Sequence, residues 1–130
     1  MANTTIITTL ADTARKLVLK HTQIYVDASG QTDTLLDIST KDYTAVAVER
    51  VWSTVSHDGR CNLVWDADTD VLITGATNSN QNYCFDFTLG GWGGLTKEGT
   101  NATGDLKVLA ASMGTSNEQV SIVVEMRKIF

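Results

Sequence analysis

Short runs in which apolar and polar residues alternate are the feature that most constrains how this chain can fold. In EQVSIVVEMRKIF, Val120, Ile122, Val124 and Met126 fall at every second position. A period of two places alternate side chains on opposite faces of a β-strand. The runs are rich in β-branched and aromatic residues, which favour strands over helices. We therefore predict a β-protein.

The predicted strands are TTIITTL, ARKLVLKHTQIYVD, TLLDIS, YTAVAVERVWSTVS, CNLVWD, DVLITGA, YCFDFTL, DLKVLAAS and EQVSIVVEMRKIF. The second run also has a helical stripe, but the alternation around Leu17 and Leu19 favours a strand. Short strands at this spacing predict an all-β, antiparallel sandwich or barrel, either immunoglobulin-like or jelly-roll-like. Residues 1–130 form one predicted domain, in which residues 1–12 are its first strand or an extended arm. Strand parity places Trp52 and Trp65 in the core.

The composition argues against several classes of function. Fifteen acidic residues against ten basic ones leave a net charge of −5, whereas nucleic acids and anionic membranes require clustered lysine and arginine. The only local basic group is Arg15, Lys16 and Lys20, so we expect no nucleic-acid or membrane partner. The first residues lack the pattern of a signal peptide. We therefore expect Cys61 and Cys84 to be buried thiols, with a disulfide as the alternative outside the cell.

The stretch NLVWDADTDVLITGA places Asp66, Asp68 and Asp70 at alternate positions, as at the start of an EF-hand calcium loop. Such a loop needs glycine at its sixth position and glutamate at its twelfth, where this chain has Val71 and Thr77. We therefore predict a hairpin turn in which the aspartates accept hydrogen bonds from nearby backbone. A weak surface cation site of another type is the alternative, and we expect no metal or cofactor.

The glycine-rich stretch GGWGGLTKEGT does not match a phosphate-binding loop. No glycine directly precedes Lys97, and Thr96 stands where the dinucleotide fingerprint needs its third glycine. The glycines would let the backbone fold closely around Trp92. Trp92 and Leu95 are therefore either core residues or anchors of a protein interface.

Catalytic signatures are also missing from the sequence. His21 and His57 lack the H-E-x-x-H spacing, and neither forms a metal-ligand pattern with the cysteines. Ser56, His57 and Asp58 are adjacent in a predicted turn, where they cannot adopt the geometry of a catalytic triad. We predict a protein that is not an enzyme and has no catalytic residues.

Several short motifs occur in a characteristic order: Trp65-Asp66, Thr69-Asp70, the Gly-Gly-Leu-Thr segment 93–96 and the Gly-Asp-Leu-Lys segment 104–107. With these motifs the chain resembles, over nearly its whole length, small virion structural proteins of tailed bacteriophages, especially those of aquatic hosts. Their opening is similar to MANTTIITTLADTARKLVLKHT as well. The GGW that precedes segment 93–96 is peculiar to this chain, so the resemblance implies no role for Trp92.

The resemblance implies a structural protein that is made in the host cytoplasm and becomes part of the phage particle. Among such roles we predict a capsid decoration (cement) protein, a dimer or trimer that binds the outside of the major capsid protein lattice. A tail, neck or fibre-base adaptor is the first alternative, and a small ligand- or carbohydrate-binding β module is the second. The predicted contacts are apolar: Ile6, Ile7, Leu10, Trp92 and Leu95.

Overall fold

A computed structural model describes residues 4–24, 31–55, 60–77, 81–91, 93–111 and 119–130. These residues form nine strands: β1 (Thr4–Asp12), β2 (Lys16–Ile24), β3 (Gln31–Leu36), β4 (Ala45–Val55), β5 (Arg60–Trp65), β6 (Val71–Thr77), β7 (Gln81–Asp86), β8 (Leu106–Ala111) and β9 (Gln119–Ile129). Single 3₁₀ turns span Ile38–Thr40 and Leu89–Gly91. In this part of the chain no helix has the length and hydropathy needed to span a membrane.

The strands form two antiparallel sheets that pack face to face. The larger sheet has the order β1-β2-β9-β4-β7 and the smaller sheet the order β3-β8-β5-β6. Most connections cross from one sheet to the other, and only β1–β2 and β5–β6 are consecutive neighbours within a sheet. Setting β1 aside, this arrangement of four strands in each sheet is a jelly roll. The predicted all-β antiparallel sandwich is confirmed in its jelly-roll-like form, and the described strands form no closed barrel.

The core lies between the sheets and follows the predicted alternation in β9. Val120, Ile122, Val124 and Met126 are all buried against the opposite sheet. Trp65, at the end of β5, is 1% exposed, which confirms its predicted place in the core. Full burial of side chains of this size supplies most of the stabilisation of a small sandwich.

The predicted core position of Trp52 is wrong. Val48 lies opposite Met126 and Arg50 lies opposite Glu125, so the residue between Val48 and Arg50 has no partner on β9. Such a β-bulge reverses the parity of every residue that follows it. Trp52 consequently faces outward and is 39% exposed.

The second predicted strand is confirmed over residues 16–24, and the helical alternative is wrong. Leu17, Leu19, His21 and Gln23 point inward, while the residues between them are half-buried. The last residues of that predicted run lie outside the described part of the chain. The preceding residues form β1, which pairs with β2, so TTIITTL is a first strand within the sandwich.

Candidate interaction surface

Strand β1 forms an edge of the larger sheet and carries three of the predicted contact residues. Among the described strands it pairs only with β2, and Ile6, Ile7 and Leu10 are 48%, 45% and 53% exposed. Residues opposite each other in an antiparallel pair share a face. Ile7 lies opposite His21 and faces the interior side, whereas Ile6 lies opposite Thr22 and faces outward. The edge therefore offers apolar side chains on both faces.

The sequence of β1 gives this edge little protection against pairing with another chain. Residues 4–11 contain no charged side chain, and the chain contains no proline. Proteins usually protect an edge strand with lysine, proline or a bulge, because its free N–H and C=O groups pair readily with other strands. Within β1, protection is limited to a bulge at Leu10 and the charge of Asp12. The edge is thus suited to strand addition.

A buried polar cluster, which we did not predict from the sequence, lies beneath β1. Its centre is the carboxylate of Asp33 on β3, which contacts polar side chains from three strands. Oδ2 lies 3.1 Å from Thr5 Oγ1, 2.9 Å from His21 Nε2 and 2.8 Å from Gln23 Nε2, and Oδ1 lies 2.9 Å from Gln31 Nε2. The cluster connects β1 and β2 of the larger sheet to β3 of the smaller one.

Two members of this cluster, His21 and Gln23, are completely buried. Nδ1 of His21 has no hydrogen-bond partner among the described residues, and an unpaired buried polar atom costs about 1–3 kcal/mol. We therefore expect the cluster to contribute more to fixing the register of the three strands than to the net free energy of unfolding. The sequence carried a signal for the burial of both residues, because they share the inward parity of Leu17 and Leu19, but none for their contact with Asp33.

A cleft of about 820 Å³ opens between β1 and the turn that follows β3. It combines an apolar floor with a polar rim: Leu17, Leu19, Leu35, Leu36, Asp37, Lys41 and Asp42. Burial, helped by the carboxylates of Asp12 and Asp42, raises the pKa of Tyr43 in its wall, so the phenol remains a neutral donor near neutral pH. The volume is that of a small-ligand site, which the sequence had not indicated.

The aspartate stretch forms the turn of the β5–β6 hairpin, as predicted. The predicted bonding to nearby backbone is found at Asp70, which accepts from the Ala67 N–H at 3.4 Å, but most contacts of the carboxylates are with side chains of the distant segment 99–107. Lys107 Nζ lies 3.0 Å from Asp66 Oδ1 and 2.9 Å from Asp70 Oδ2, Thr103 Oγ1 donates to Asp66 at 2.9 Å, and Asn101 Nδ2 donates to Asp68 at 2.7 Å. The aspartates thus hold this segment against the hairpin.

The electrostatics of this turn follow from the Lys107 contacts. Hydrogen bonds from Lys107 and Thr103 lower the pKa of Asp66, and hydrogen bonds to Asp70 and Asp66 raise the pKa of Lys107. Within the described ranges, no group of three or more His, Cys, Asp or Glu side chains is arranged to hold a metal ion. The arrangement can fix a loop, and its lysine bridges Asp66 and Asp70.

The glycine-rich loop is attached to β4 through Leu95. The backbone N–H and C=O of Leu95 each bond to Val48 at 2.8 Å. Gly94 has a φ of 93°, and a Cβ at this position would lie 2.8 Å from the Val48 carbonyl oxygen, so the close approach requires glycine. The side chain of Leu95 packs against the core. Trp92, its predicted partner in an interface, lies outside the described residues.

Trp52 stands in the middle of the outer face of the larger sheet, between Val123 on β9 and Cys84 on β7. The neighbouring row of side chains is ionic and crosses four strands. Its distances are 3.7 Å for Lys16–Glu125, 3.0 Å for Arg50–Glu125 and 3.2 Å for Arg50–Asp86. An exposed tryptophan beside an ordered polar row is a typical anchor for a protein partner. The sequence did not reveal it, because the bulge in β4 had not been predicted.

The two cysteines occupy different environments, and both are free thiols. Cys61 is buried in β5, and burial raises its pKa to about 12. Cys84 is exposed on β7, opposite Trp52. The predicted buried thiol is therefore confirmed for Cys61 and wrong for Cys84, which faces outward from the larger sheet. The alternative disulfide is not formed in this structure.

The predicted turn that contains Ser56, His57 and Asp58 lies outside the described residues. The other histidine, His21, is fully enclosed and contacts Asp33 in the polar cluster. A histidine with no exposed surface cannot reach a substrate without opening the sandwich. In this conformation the His21–Asp33 pair therefore acts as a structural element.

No protein-family model matches this chain, and no curated protein sequence matches it significantly. Among solved structures, a cupin superfamily protein from Desulfitobacterium hafniense is similar over 98% of this chain and 79% of its own, with 8% sequence identity and a TM-score of 0.33. A similarity of this degree carries no argument about function. The surfaces described above must therefore be interpreted from their own chemistry.

Proposed function

We propose that this chain is a structural protein of a bacteriophage particle, a capsid decoration protein that binds the outside of the major capsid protein lattice and stabilises it. The observation that supports this proposal most is the edge strand β1, with its uncharged sequence and exposed Ile6, Ile7 and Leu10. By pairing with an extended segment of the capsid protein, β1 gains backbone hydrogen bonds and apolar contacts together. Repeated at the equivalent sites of a symmetric lattice, such contacts add up to the stabilisation of the whole shell.

The polar cluster beneath β1 supports the same role. Thr5 on β1 contacts Asp33 on the opposite sheet, so the strand is fixed in position before any partner arrives. A strand ordered in advance loses less conformational entropy on binding than a free arm does. We infer that β1 acts as a rigid docking edge.

The fold and the sequence resemblance are compatible with this proposal. Jelly rolls occur in viral capsid domains, and also in lectins and cupins, so the fold alone does not select a function. Motifs that carry the resemblance meet in space, because Lys107 bridges Asp66 and Asp70. These motif residues hold the turn between β5 and β6 of this chain.

Charged substitutions on β1 test the docking edge. Removing the first ten residues would also remove Thr5 from the polar cluster, so Ile6→Lys and Leu10→Lys are sharper probes. We expect each variant to keep its melting temperature and to rebind less to capsids stripped of this protein, measured by co-sedimentation. Leu72→Lys is the matched control, since Leu72 is also exposed but lies on β6 of the other sheet. Equal rebinding by all three variants would contradict the proposal.

The copy number in purified particles tests the position in the virion. We expect quantitative mass spectrometry to find a number of chains comparable to the number of major capsid subunits. A content of a few per cent of that number would instead indicate the tail, neck or fibre-base adaptor. Absence from the particle would refute both virion roles.

A second candidate function, a small ligand-binding β module, is favoured by the cleft of about 820 Å³ beside β1. A ligand that binds only the native state raises the melting temperature, and the stabilisation grows with the logarithm of its concentration once that exceeds Kd. Thermal melts with a panel of mono- and oligosaccharides, and with calcium for the aspartate turn, test this role. A shift with one sugar that is abolished by Thr34→Trp, which places a large ring at an exposed position of the cleft wall, would support it.

A further inference from the structure

We propose that a basic pocket at one end of the larger sheet binds a carboxylate-bearing segment of another protein. The pocket has a volume of about 460 Å³ and is lined by Ala14, Arg15, Arg127, Lys128 and Phe130. It lies where β2 begins and β9 ends, and there the N–H of Lys128 donates to the carbonyl of Arg15 at 2.8 Å. This inference does not depend on the proposed place in a virion.

The two arginines of the basic pocket have no ionic partner among the described residues. Arg127 Nη2 donates to the neutral carbonyl of Gly93 at 3.1 Å, and no carboxylate in the described part of the chain lies within ion-pair distance of Arg15 or Arg127. Three other cations of the same sheet are paired, Lys16 with Glu49, Arg50 with Glu125 and Lys128 with Asp12, whereas Lys20 on β2 lies outside this pocket. In a chain with a net charge of −5, the pocket is therefore a local positive site with unused donors.

The chemistry of this pocket suits a carboxylate attached to an apolar backbone or side chain. A guanidinium group presents a planar fork of donors that matches the two oxygens of a carboxylate. Phe130 is exposed beside the arginines and is in edge-to-face contact with Tyr43, with ring centroids 6.2 Å apart. Arginine and aromatic residues are enriched at the centres of protein interfaces. An acidic peptide segment with apolar neighbours uses both features.

Charge complementarity favours such a segment over nucleic acid. Binding along a phosphate backbone needs several cations spread over a groove, whereas this pocket offers two arginines at one point. The remaining surface is acidic overall, and Asp12 lies beside the pocket through its contact with Lys128. A long polyanion would meet repulsion outside the pocket, but a short acidic segment would not.

The test uses a fluorescent peptide, acetyl-Glu-Glu-Leu-Glu-Glu-Leu-amide, and its glutamine counterpart, with binding measured by anisotropy at low ionic strength. We expect saturable binding of the glutamate peptide that weakens as salt is raised, and little binding of the glutamine peptide. Arg15→Gln and Arg127→Gln should each weaken binding about tenfold. Arg60→Gln removes the same charge from exposed Arg60 at the start of β5, and should leave binding unchanged.

The proposal would be overturned if the glutamate peptide did not bind, or if both peptides bound equally well. It would also be overturned if Arg60→Gln weakened binding of the glutamate peptide as much as Arg15→Gln and Arg127→Gln do. A fourth contrary result is displacement of the bound peptide by a short oligodeoxynucleotide or inorganic phosphate at lower concentrations than by unlabelled peptide. Arg127→Gln also removes the contact to Gly93 and could therefore lower the melting temperature. In that case Arg15→Gln is the decisive variant, because it breaks no described side-chain contact. Phe130→Ala should weaken binding of the glutamate peptide without changing its salt dependence.

Discussion

The carboxylate of Asp33 and Nε2 of His21 lie 2.9 Å apart in the interior, and this contact joins the smaller sheet to the larger one. Because Asp33 is the common acceptor for the cluster beneath β1, its removal takes away the described partner of the buried His21 Nε2, while the Gln23 and Gln31 amides keep their hydrogen bonds to Thr5 Oγ1.

We expect Asp33→Ala to lower the free energy of unfolding by about 3 kcal/mol, since a buried polar network loses its shared acceptor. Asp42→Ala, at an exposed aspartate on the cleft rim, should change it by less than about 0.5 kcal/mol. Urea unfolding followed by circular dichroism compares the two variants. Equal effects would show that the cluster does not hold the sheets together.

The two tryptophans of β4 and β5 should respond differently to truncation. Trp65→Ala removes a buried ring and should cost about 3–5 kcal/mol. Trp52→Ala removes a ring on the outer face, so we expect a loss below about 1 kcal/mol. Urea titrations of both variants measure this difference. If Trp52→Ala were the more destabilising change, the bulge between Val48 and Arg50 would be placed incorrectly.

The thiols should differ in reactivity. In the native protein we expect Ellman's reagent to modify Cys84 only, because Cys61 is buried and its pKa is raised to about 12, which leaves almost no thiolate. Cys84→Ser should abolish the fast reaction at about pH 8, while Cys61→Ser should leave it intact. In urea both thiols of the wild-type protein should react. Fast modification of native Cys84→Ser would contradict the burial of Cys61.

The Lys107 contacts predict a dependence of stability on pH. The pKa of Asp66 is lowered in the folded protein from 3.8, so its contribution is present above about pH 4 and is lost as the pH falls through the lowered value. The pKa of Lys107 is raised from 10.5, so its contribution is complete below that pH and is lost as the pH rises through the raised value. We expect Lys107→Met to cost about 1 kcal/mol at neutral pH and much less near about pH 2.

Denaturant titrations of wild type and Lys107→Met at both pH values measure this difference. Lys97→Met, in the exposed loop, is the control and should show no such dependence. Acid sensitivity that remains in Lys107→Met is expected from Asp86, whose pKa is lowered chiefly by hydrogen bonds from Thr88. A cost of Lys107→Met that stays constant with pH would contradict the assignment.

Alanine substitutions at two glycines with positive φ distinguish the cost of backbone strain from the cost of a steric clash. Gly91 has a φ of 85° with open space where a side-chain methyl group would stand, whereas at Gly94 that group would lie 2.8 Å from the Val48 carbonyl oxygen. Gly91→Ala should therefore cost about 1 kcal/mol, and Gly94→Ala distinctly more, because the Leu95 bridge to β4 must open. Melting curves of the two variants compare these costs. Equal costs would mean that the loop adjusts freely.

Most of the fold could be predicted because its strands alternate clearly. The pattern in β9 and the position of the turn between β5 and β6 follow from neighbouring residues, which a sequence displays directly. The Lys107 contacts that hold this turn come from a distant segment and could not be predicted in this way. The outward orientation of Trp52 could not be predicted, since a bulge near Glu49 leaves no sign in the local pattern. The sequence identified Ile6, Ile7 and Leu10 as apolar, but their exposure depends on the sheet order.

The polar cluster and the basic pocket required the tertiary structure. Asp33 meets His21 and Thr5 only because the chain crosses from one sheet to the other. Likewise, Arg15 and Arg127 are far apart in sequence and become neighbours through the pairing of β2 with β9. Contacts between distant segments of this kind have no periodic signature.

The place of β9 between β2 and β4 has a consequence for how the chain is made. On the ribosome, β1 and β2 can pair early, but no strand lies between them and β4 until residues 119–129 leave the exit tunnel. Non-local pairing of this kind slows folding and leaves strand edges open for longer. We therefore expect nascent chains that lack β9 to be protease-sensitive and bound by chaperones. The sandwich should close in one late step, after β9 has left the exit tunnel.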